Sequence, residues 1–549
     1  MSTTTTTATV DNSSARHLTP QSKEERFYST KQPGGRWDDI VIGSGMGGMT
    51  SAAMLAKLGR RVLVLEQHYV PGGFTHTFKR KKWTWDVGVH AVGEVGPQAA
   101  LGRVLLALTD GRLEWAPLGD VYDEFHFPDL RIDFPNSRPQ FVANLKAAFP
   151  GEERAIGEYL RLIKEVSGSM RRYYLSRLVP TTWAPLADPI LAGPAMKLLG
   201  ERTKDVLDRL TSNEKMKAVL TAQWGYYGVP PARSSFAIHA LVAKHFMHGG
   251  FYPVGGSGAI AHALLETVAK AGGWTRIRAD VAEILVERGR AVGVRLADGE
   301  TIRAERVISA AGGLPTVKRL LPPAVRAERW AADIAQLEPS PCHVCLYIGF
   351  KGDIREAGAT AANKWFYETW SADAIYWDVE RGDAEAPILY TSFPSLKDPH
   401  HDPGPDQLHT GEIVTFVPYR VFEAWREGRW RKRGEDYDAF KARLSQQLLD
   451  QLCRHMPGLR DKVAFVELST PLSTEHFTRA ALGAIYGIEP TPERYRTRSL
   501  RPRTPVPGLY LSGSDMASVG VMGAMVGGAL AAVAAEPVDA LRWLRTAMR

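Results

Sequence analysis

The chain has 549 residues, of which 44% are hydrophobic and 23% charged, the make-up of a globular protein with room for more than one core. Three cysteines are too few and too odd in number for a disulfide-built secreted scaffold. The formal charge of +8 suits contact with anionic surfaces, membranes included, but no nucleic-acid-binding module accompanies it, so no nucleic acid is expected as a partner.

Residues 1–35 are rich in Thr, Ser and Gln and lack the apolar stretch of a secretion signal, so they read as a disordered tail on a cytoplasmic protein. From Trp37 the pattern changes. A short apolar strand runs into Gly43-Ser44-Gly45-Met46-Gly47-Gly48, an Ala/Leu-rich helix follows, and a second apolar strand ends at Glu66. In a dinucleotide fingerprint Gly43 makes the tight turn, Gly45 lets backbone approach a pyrophosphate, and Gly48 lets helix and strand pack closely. The helix N-terminus offers free N–H groups to the same phosphate. Glu66, 23 residues after Gly43, stands where an acid binds a ribose hydroxyl; alone it could equally be a solvated strand-end carboxylate. The combination predicts FAD or NAD(P). The pair Gly72-Gly73, directly after the acid, suits backbone laid along an extended cofactor and favours FAD.

Residues 100–250 lose this rhythm and read as helical. Arg171, Arg172, Tyr173, Tyr174, Arg177, Trp183 and the apolar stretch 190–199 mix cations, rings and aliphatic side chains. Two readings stand side by side: an interfacial membrane segment, and core helices with a solvated face. Prolines 180, 185, 189 and 194 argue against one long amphipathic helix.

The α/β pattern resumes near 250, with a helix from about 259 to 270 and strands near 275–277, 281–287, 291–296 and 306–313. Gly256-Ser257-Gly258-Ala259-Ile260-Ala261 matches G-x-G-x-x-A but has neither the preceding strand nor the following acid, so it predicts no second nucleotide site. Strands are expected near 344–350, 388–393 and 413–417, and a helix near 437–455. Cys342 and Cys345 lie three apart on a strand and so point to opposite faces, which fits two small buried residues better than a metal or redox pair. No metal site is expected. The last strand leads to Gly513-Ser514-Asp515 and then to twenty uncharged residues, 516–535. That length reaches the ~18-residue threshold for a membrane span. Glycine and alanine dominate it, however, and it follows a strand ending in an acid, which predicts a buried helix aimed at a cofactor.

The fingerprint, the middle α/β block and the terminal Gly-x-Asp with its Gly-rich helix together resemble the phytoene desaturase and carotene isomerase superfamily of flavoproteins, and within it the retinol saturases. The resemblance runs from Asp38 almost to the end. More specific than the fingerprint are Tyr227-Gly228-Val229-Pro230-Pro231, the stretch His76-Thr77-Phe78 to Asp86-x-Gly88-x-His90, Phe251-Tyr252-Pro253, Phe393-Pro394-Ser395-x-Lys397-Asp398-Pro399 and Tyr486-Gly487. The implied fold is α/β: a Rossmann-type FAD-binding domain of the two-dinucleotide-binding-domain flavoproteins, with an inserted α+β substrate domain. FAD-binding segments are implied at 36–100, 251–315 and 471–549, and substrate-domain segments at 101–250, with membrane contact, and 316–470. By the match, Gly43, Gly45, Gly48 and Glu66 would hold the ADP part, Gly72 and Gly73 the pyrophosphate or flavin, Val281 the adenine, and Asp515, Gly520 and Val521 the ribityl chain and ring edge. Saturases carry Gly-Gln-Asp where this chain has Gly513-Ser514-Asp515; the acid is kept and the detail beside the flavin differs.

The implied activity is FAD-dependent oxidoreduction at a C=C or CH–CH bond of a lipophilic polyene, foremost its saturation. Desaturase, isomerase, amine oxidase and non-catalytic lipid-chain carrier are alternatives on related scaffolds. Proton-donor candidates are His90, Glu94 and Tyr486, each with a plain packing or hydrogen-bonding role as its alternative. NAD(P)H bound transiently, or an external reductase, would supply electrons.

Overall fold

The computed structural model describes residues 27–549. The expected tail lies mostly outside this range. Its last part does not behave as a tail: Phe27 is buried, and Tyr28–Ser29 pairs as a parallel strand with Trp274–Arg276.

Two sheets organise the chain. The first has eight strands, in the order Tyr28–Ser29, Trp274–Arg276, Val62–Leu65, Trp37–Ile42, Thr301–Ser309, Arg290–Leu296 and Val281–Glu287, with Leu509–Leu511 also on Thr301–Ser309. The strands from Tyr28 across to Thr301 pair in parallel, as does Leu509–Leu511. The last two pair antiparallel as a meander. Parallel strands covered on both faces need continuous apolar runs, and Val62–Leu65 is wholly buried. The fingerprint helix, Met46–Lys57, is buried along nearly its whole length. It lies between Gly258–Lys270 and the Gly/Ala-rich helix Gly520–Ala535.

The second sheet has seven strands, in the order Val463–Ser469, Cys342–Lys351, Leu408–Val417, Ile388–Ser392, Asn363–Tyr367, Val121–Phe127 and Leu130–Pro135. Its pairing is antiparallel except between Asn363–Tyr367 and Val121–Phe127. Two of these strands correct the helical expectation for 100–250. Around them that region is helical, and the prolines divide it into Glu153–Arg177, Ala184–Leu191 and Gly193–Leu199. Cys342 and Cys345 fall into different cores on opposite sides of their strand. Among the described residues no group of His, Cys, Asp and Glu is arranged to hold a metal. The Gly/Ala-rich terminal helix Gly520–Ala535, which only the shorter Pro537–Ala547 follows, has 16 residues, and no described helix is long and apolar enough to cross a membrane.

Candidate active site

A cavity of about 320 Å³ lies between the two sheets, within the ~300–1,000 Å³ typical of small-molecule sites. Its two ends differ in chemistry. One is backbone-rich, made by Gly43, Gly45, Glu66, Gly73, the 310–312 turn and the 513–515 loop. The other is built from Tyr226, Trp365, Ile388, Tyr390, Val414 and Phe416.

The fingerprint glycines at the first end differ in backbone conformation and in the space around them. Gly43 has φ +92°, a backbone conformation that favours glycine. A Cβ on Gly48 would lie 2.1 Å from Gly43 O, so only glycine lets helix and strand approach this closely. A Cβ on Gly45 would meet nothing within 4 Å, which leaves space at a helix N-terminus for a phosphate. Glu66 is buried at the end of its strand. It accepts hydrogen bonds from Ser44 N (2.9 Å), Ser44 Oγ (2.6 Å) and His68 N (2.8 Å) while it faces the cavity. Gly72 lies behind the lining and donates its N–H to Ser44 Oγ, which ties the glycine pair to the fingerprint turn.

At the far side of this end, the carboxylate of Asp515 accepts the backbone N–H of Gly313 (2.7 Å) and of Ile488 (2.8 Å). It thereby locks three loops to one another where they border the cavity. Val281, Gly520 and Val521 also line it. The donor set fits an extended dinucleotide: a bare helix N-terminus, one strand-end carboxylate and several glycine-lined turns.

The three proton-donor candidates separate. Glu94 does not line the cavity. Burial raises its pKa, but hydrogen bonds and charge from His245 and Lys244 more than offset this, so it is an ionised partner with no proton to give. Tyr486 does line the cavity, yet its O–H donates to Gly225 O (3.0 Å) and its ring fills the space over Gly228, which makes it wall. His90 borders the cavity with Nδ1 2.8 Å from Glu412 Oε2; burial and the nearby Lys397 lower its pKa to about 3, so its imidazole is neutral.

An aromatic-rich apolar tunnel is what the composition of the middle of the chain suits, but the sequence did not name the residues that line it. Its residues come from alternate positions of the second sheet: Val414 and Phe416 on one strand, Ile388 and Tyr390 on the next, Trp365 on the third. The rings meet edge to face, Trp365 with Tyr390 at 4.5 Å and 62°, Tyr226 with Trp365 at 5.0 Å and 87°. Set at steep angles to one another, they form a continuous wall. Period-two alternation was the available signal, but polar residues interrupt it on each strand.

A family model described as flavin containing amine oxidoreductase matches residues 46–535. The chain belongs to this family. It is therefore a flavoprotein of the oxidoreductase class. It is 33% identical over 522 residues to an all-trans-retinol 13,14-reductase of Danio rerio, covering 89% of this chain and 84% of the relative. A second Danio rerio relative, named an inactive all-trans-retinol 13,14-reductase, is also 33% identical, over 537 residues with 92% and 87% coverage, so overall identity does not separate active from inactive members. A prolycopene isomerase of an Oncidium hybrid cultivar is 28% identical over 475 residues, with 83% and 76% coverage. Among solved structures, a putrescine oxidase superposes with a TM-score of 0.61 at 18% identity, covering 92% of this chain and 100% of the other; that likeness is one of fold.

Proposed function

We propose that this flavoprotein uses FAD to reduce a carbon–carbon double bond of a lipophilic polyene, a retinoid, carotenoid or related unsaturated lipid. The observation that carries the proposal is the aromatic and aliphatic wall continuous with the fingerprint end of one cavity. An apolar chain gains about 25 cal/mol for each Å² it buries against such a wall. The relatives named for reactions of retinol and prolycopene support a polyene over an amine, since amine-oxidase structures share only the fold. When bound, FAD supplies hydride chemistry at a fixed ring position. The chain orients the substrate between Trp365, Tyr390 and Phe416, excludes water, and presents His90 beside it. Electrons reach the flavin from outside, from NAD(P)H bound transiently or from a partner reductase.

The test begins with the visible spectrum of the purified protein. NADPH, NADH or dithionite is then added without oxygen, and all-trans-retinol or a carotenoid follows. Reduced flavin reoxidised by the polyene, with a saturated product, supports the proposal. Oxidised flavin bleached by the polyene, or redox-neutral isomerisation, assigns desaturase or isomerase chemistry instead. Flavin that ignores polyenes and is bleached by amines overturns the proposal.

Gly225 sets the width of the apolar end. A Cβ there would lie 2.6 Å and 2.8 Å from the Trp365 ring atoms Cζ3 and Cη2. Gly225→Ala is expected to push the indole toward Tyr390 and raise KM for a long polyene roughly tenfold, equivalent to ~1.4 kcal/mol. Flavin content should not change, and steady-state kinetics with an absorbance ratio check both.

We further propose that the Ala184–Leu191 helix lies on a lipid surface from which such a substrate is taken. Trp183, Leu186 and Ile190 are 63%, 69% and 69% exposed, spaced to share one helix face, with exposed Arg171 and Arg172 nearby. Aromatic and aliphatic side chains rimmed by cations suit the headgroup boundary of an anionic membrane. The variant Trp183→Ser/Leu186→Ser/Ile190→Ser is expected to lower flotation with phosphatidylserine vesicles at least tenfold, since each buried side chain is worth ~1.5–3 kcal/mol. Unchanged flotation overturns the assignment.

A further inference from the structure

Behind His90 the structure buries more acid than it can ionise. Asp86, Asp123 and Glu412 are 1%, 0% and 0% exposed, and the ammonium that acts on all three is that of Lys397, itself 4% exposed. Lys397 Nζ donates to the carbonyl of His90 (2.7 Å), to Ser392 Oγ (2.7 Å) and to Asn363 Oδ1. Burial lowers the Lys397 pKa only to about 8, because Glu412, Asp86 and Asp123 oppose the fall, so the ammonium is charged near neutral pH. If all three carboxyls were ionised too, two uncompensated negative charges would sit in a dry interior, at a cost of several kcal/mol each. A proton is therefore retained within the cluster.

Hydrogen bonding decides which acid keeps it. Asp123 accepts from Gln223 Nε2 (2.9 Å), Tyr226 O–H (2.7 Å) and Asn363 Nδ2 (3.0 Å). Asp86 accepts from Tyr252 O–H (2.5 Å) and Ser257 N (2.8 Å). Burial raises both to about 6, and these hydrogen bonds oppose the rise, so both are anions near neutral pH. Glu412 has only a weak contact from the backbone N–H of Asp86, and among the described residues no side chain is aligned to hydrogen-bond either of its oxygens; His90 Nδ1 faces Oε2 at 2.8 Å, off the line of a hydrogen bond. Burial raises its pKa to about 8, with Lys397 opposing the rise. Glu412 also shares a strand face with Val414 and Phe416, which line the cavity.

We propose that Glu412 is the proton store of the active site and that His90 passes its proton to the substrate. This rests on the polyene reading of the cavity. In a reduction, bound reduced flavin would supply a hydride to one alkene carbon, which leaves the π electron pair on its neighbour. There the His90 Nε2–H bond breaks as the second C–H bond forms, while the proton on Glu412 Oε2 moves to Nδ1. The negative charge that the hydride donor would give up then rests on Glu412, where Lys397 stabilises it. A proton from solvent then restores the acid. Glu412 does not touch substrate in this scheme; it acts through His90, a neutral ring able to change tautomer.

The test uses the flavin-loaded full chain and two readouts. Infrared difference spectra near neutral pH are expected to show the C=O stretch of a protonated carboxyl, downshifted in D₂O and lost in Glu412→Gln. Single-turnover reoxidation of dithionite-reduced flavin by all-trans-retinol is expected to slow by ~10²–10⁴-fold in that variant, the usual worth of general acid catalysis, and to recover in part in Glu412→Asp. Flavin content should be that of the wild type. A wild type without the carboxyl band, or a Gln variant as fast as wild type, overturns the proposal. The infrared arm needs no substrate, so a protein that reduces no polyene fails the functional reading alone and leaves this arm to decide where the proton is held.

Discussion

Gly527→Ala is expected to give protein that retains at most about a tenth of the wild-type flavin and does not regain it when FAD is added. A Cβ at this position would lie 1.9 Å from Gly513 O and 2.8 Å from Gly513 C. These are backbone atoms, so no side chain can rotate aside. The site is crowded from every direction: a Cβ on Gly47 would lie 2.3 Å from Gly513 Cα, and one on Gly528 would lie 2.4 Å from Gly47 O. Ser51 and Ser512 hydrogen-bond across the same junction at 2.8 Å. Fingerprint helix, terminal helix and the 513–515 loop thus meet through bare backbone.

Overpacking in a well-filled core costs ~1–3 kcal/mol, and more where neighbours cannot yield. Here the yielding part would be the loop that carries Asp515, whose carboxylate holds Gly313 and Ile488 in place beside the cavity. The damage should fall first on cofactor retention. Absorbance ratios after purification, with and without added FAD, measure it. Gly157→Ala is the matched control: it lies on the exposed side of Glu153–Arg177 with nothing within 4 Å of the added methyl. That change should be neutral or stabilising by ~0.5–1 kcal/mol.

The same contacts show why some of the molecule could be read from its sequence. Gly43 and Gly48 stand where local backbone geometry demands glycine, so their spacing carries the information. The 516–535 stretch was legible for a related reason. Its glycines and alanines made a close-packed helix a better reading than a lipid-facing one, although nothing local named Gly47 and Gly513 as its partners. The strand Val121–Phe127 was missed because Asp123 and Glu124 are buried in it. Asp123 is satisfied by Gln223, Tyr226 and Asn363, and Glu124 by Lys364, all distant in sequence. Buried carboxyls with remote partners look like solvated ones until the partners are known. Glu94 misled in the opposite sense, since nearness to His90 in sequence did not reveal that its side chain turns to Lys244 and His245. Glu412 sat one residue before the strand as it was read, and Lys397 was noticed in a family block without a role.

Arg306→Met should destabilise the fold by about 3–5 kcal/mol, the cost of leaving a buried charge without its partner. Arg306 and Asp39 stand opposite one another in register on adjacent parallel strands of the first sheet. Asp39 is fully buried and receives Nε of Arg306 at 2.6 Å and a terminal nitrogen at 3.1 Å, a two-pronged pairing; Arg60 adds a longer contact at 3.3 Å. The remaining nitrogen of Arg306 reaches Ala535 O and Glu536, so one guanidinium also pins the end of the terminal helix to the sheet. Burial disfavours this cation, but Asp39 and Glu536 more than offset that and hold its pKa above the usual arginine value. Methionine keeps much of the apolar stem and supplies none of the donors, which leaves the Asp39 carboxylate facing Arg60 alone. None of these residues borders the cavity. The variant should therefore unfold at lower temperature and lower urea concentration while the flavin spectrum of its folded fraction matches wild type. Removing the acid as well, in Arg306→Met/Asp39→Leu, should recover most of the loss, because apolar replacement of a whole buried pair is often neutral. If the double variant were as unstable as the single one, the contact of Arg306 with the terminal helix, and not the pair with Asp39, would be the source of the stability.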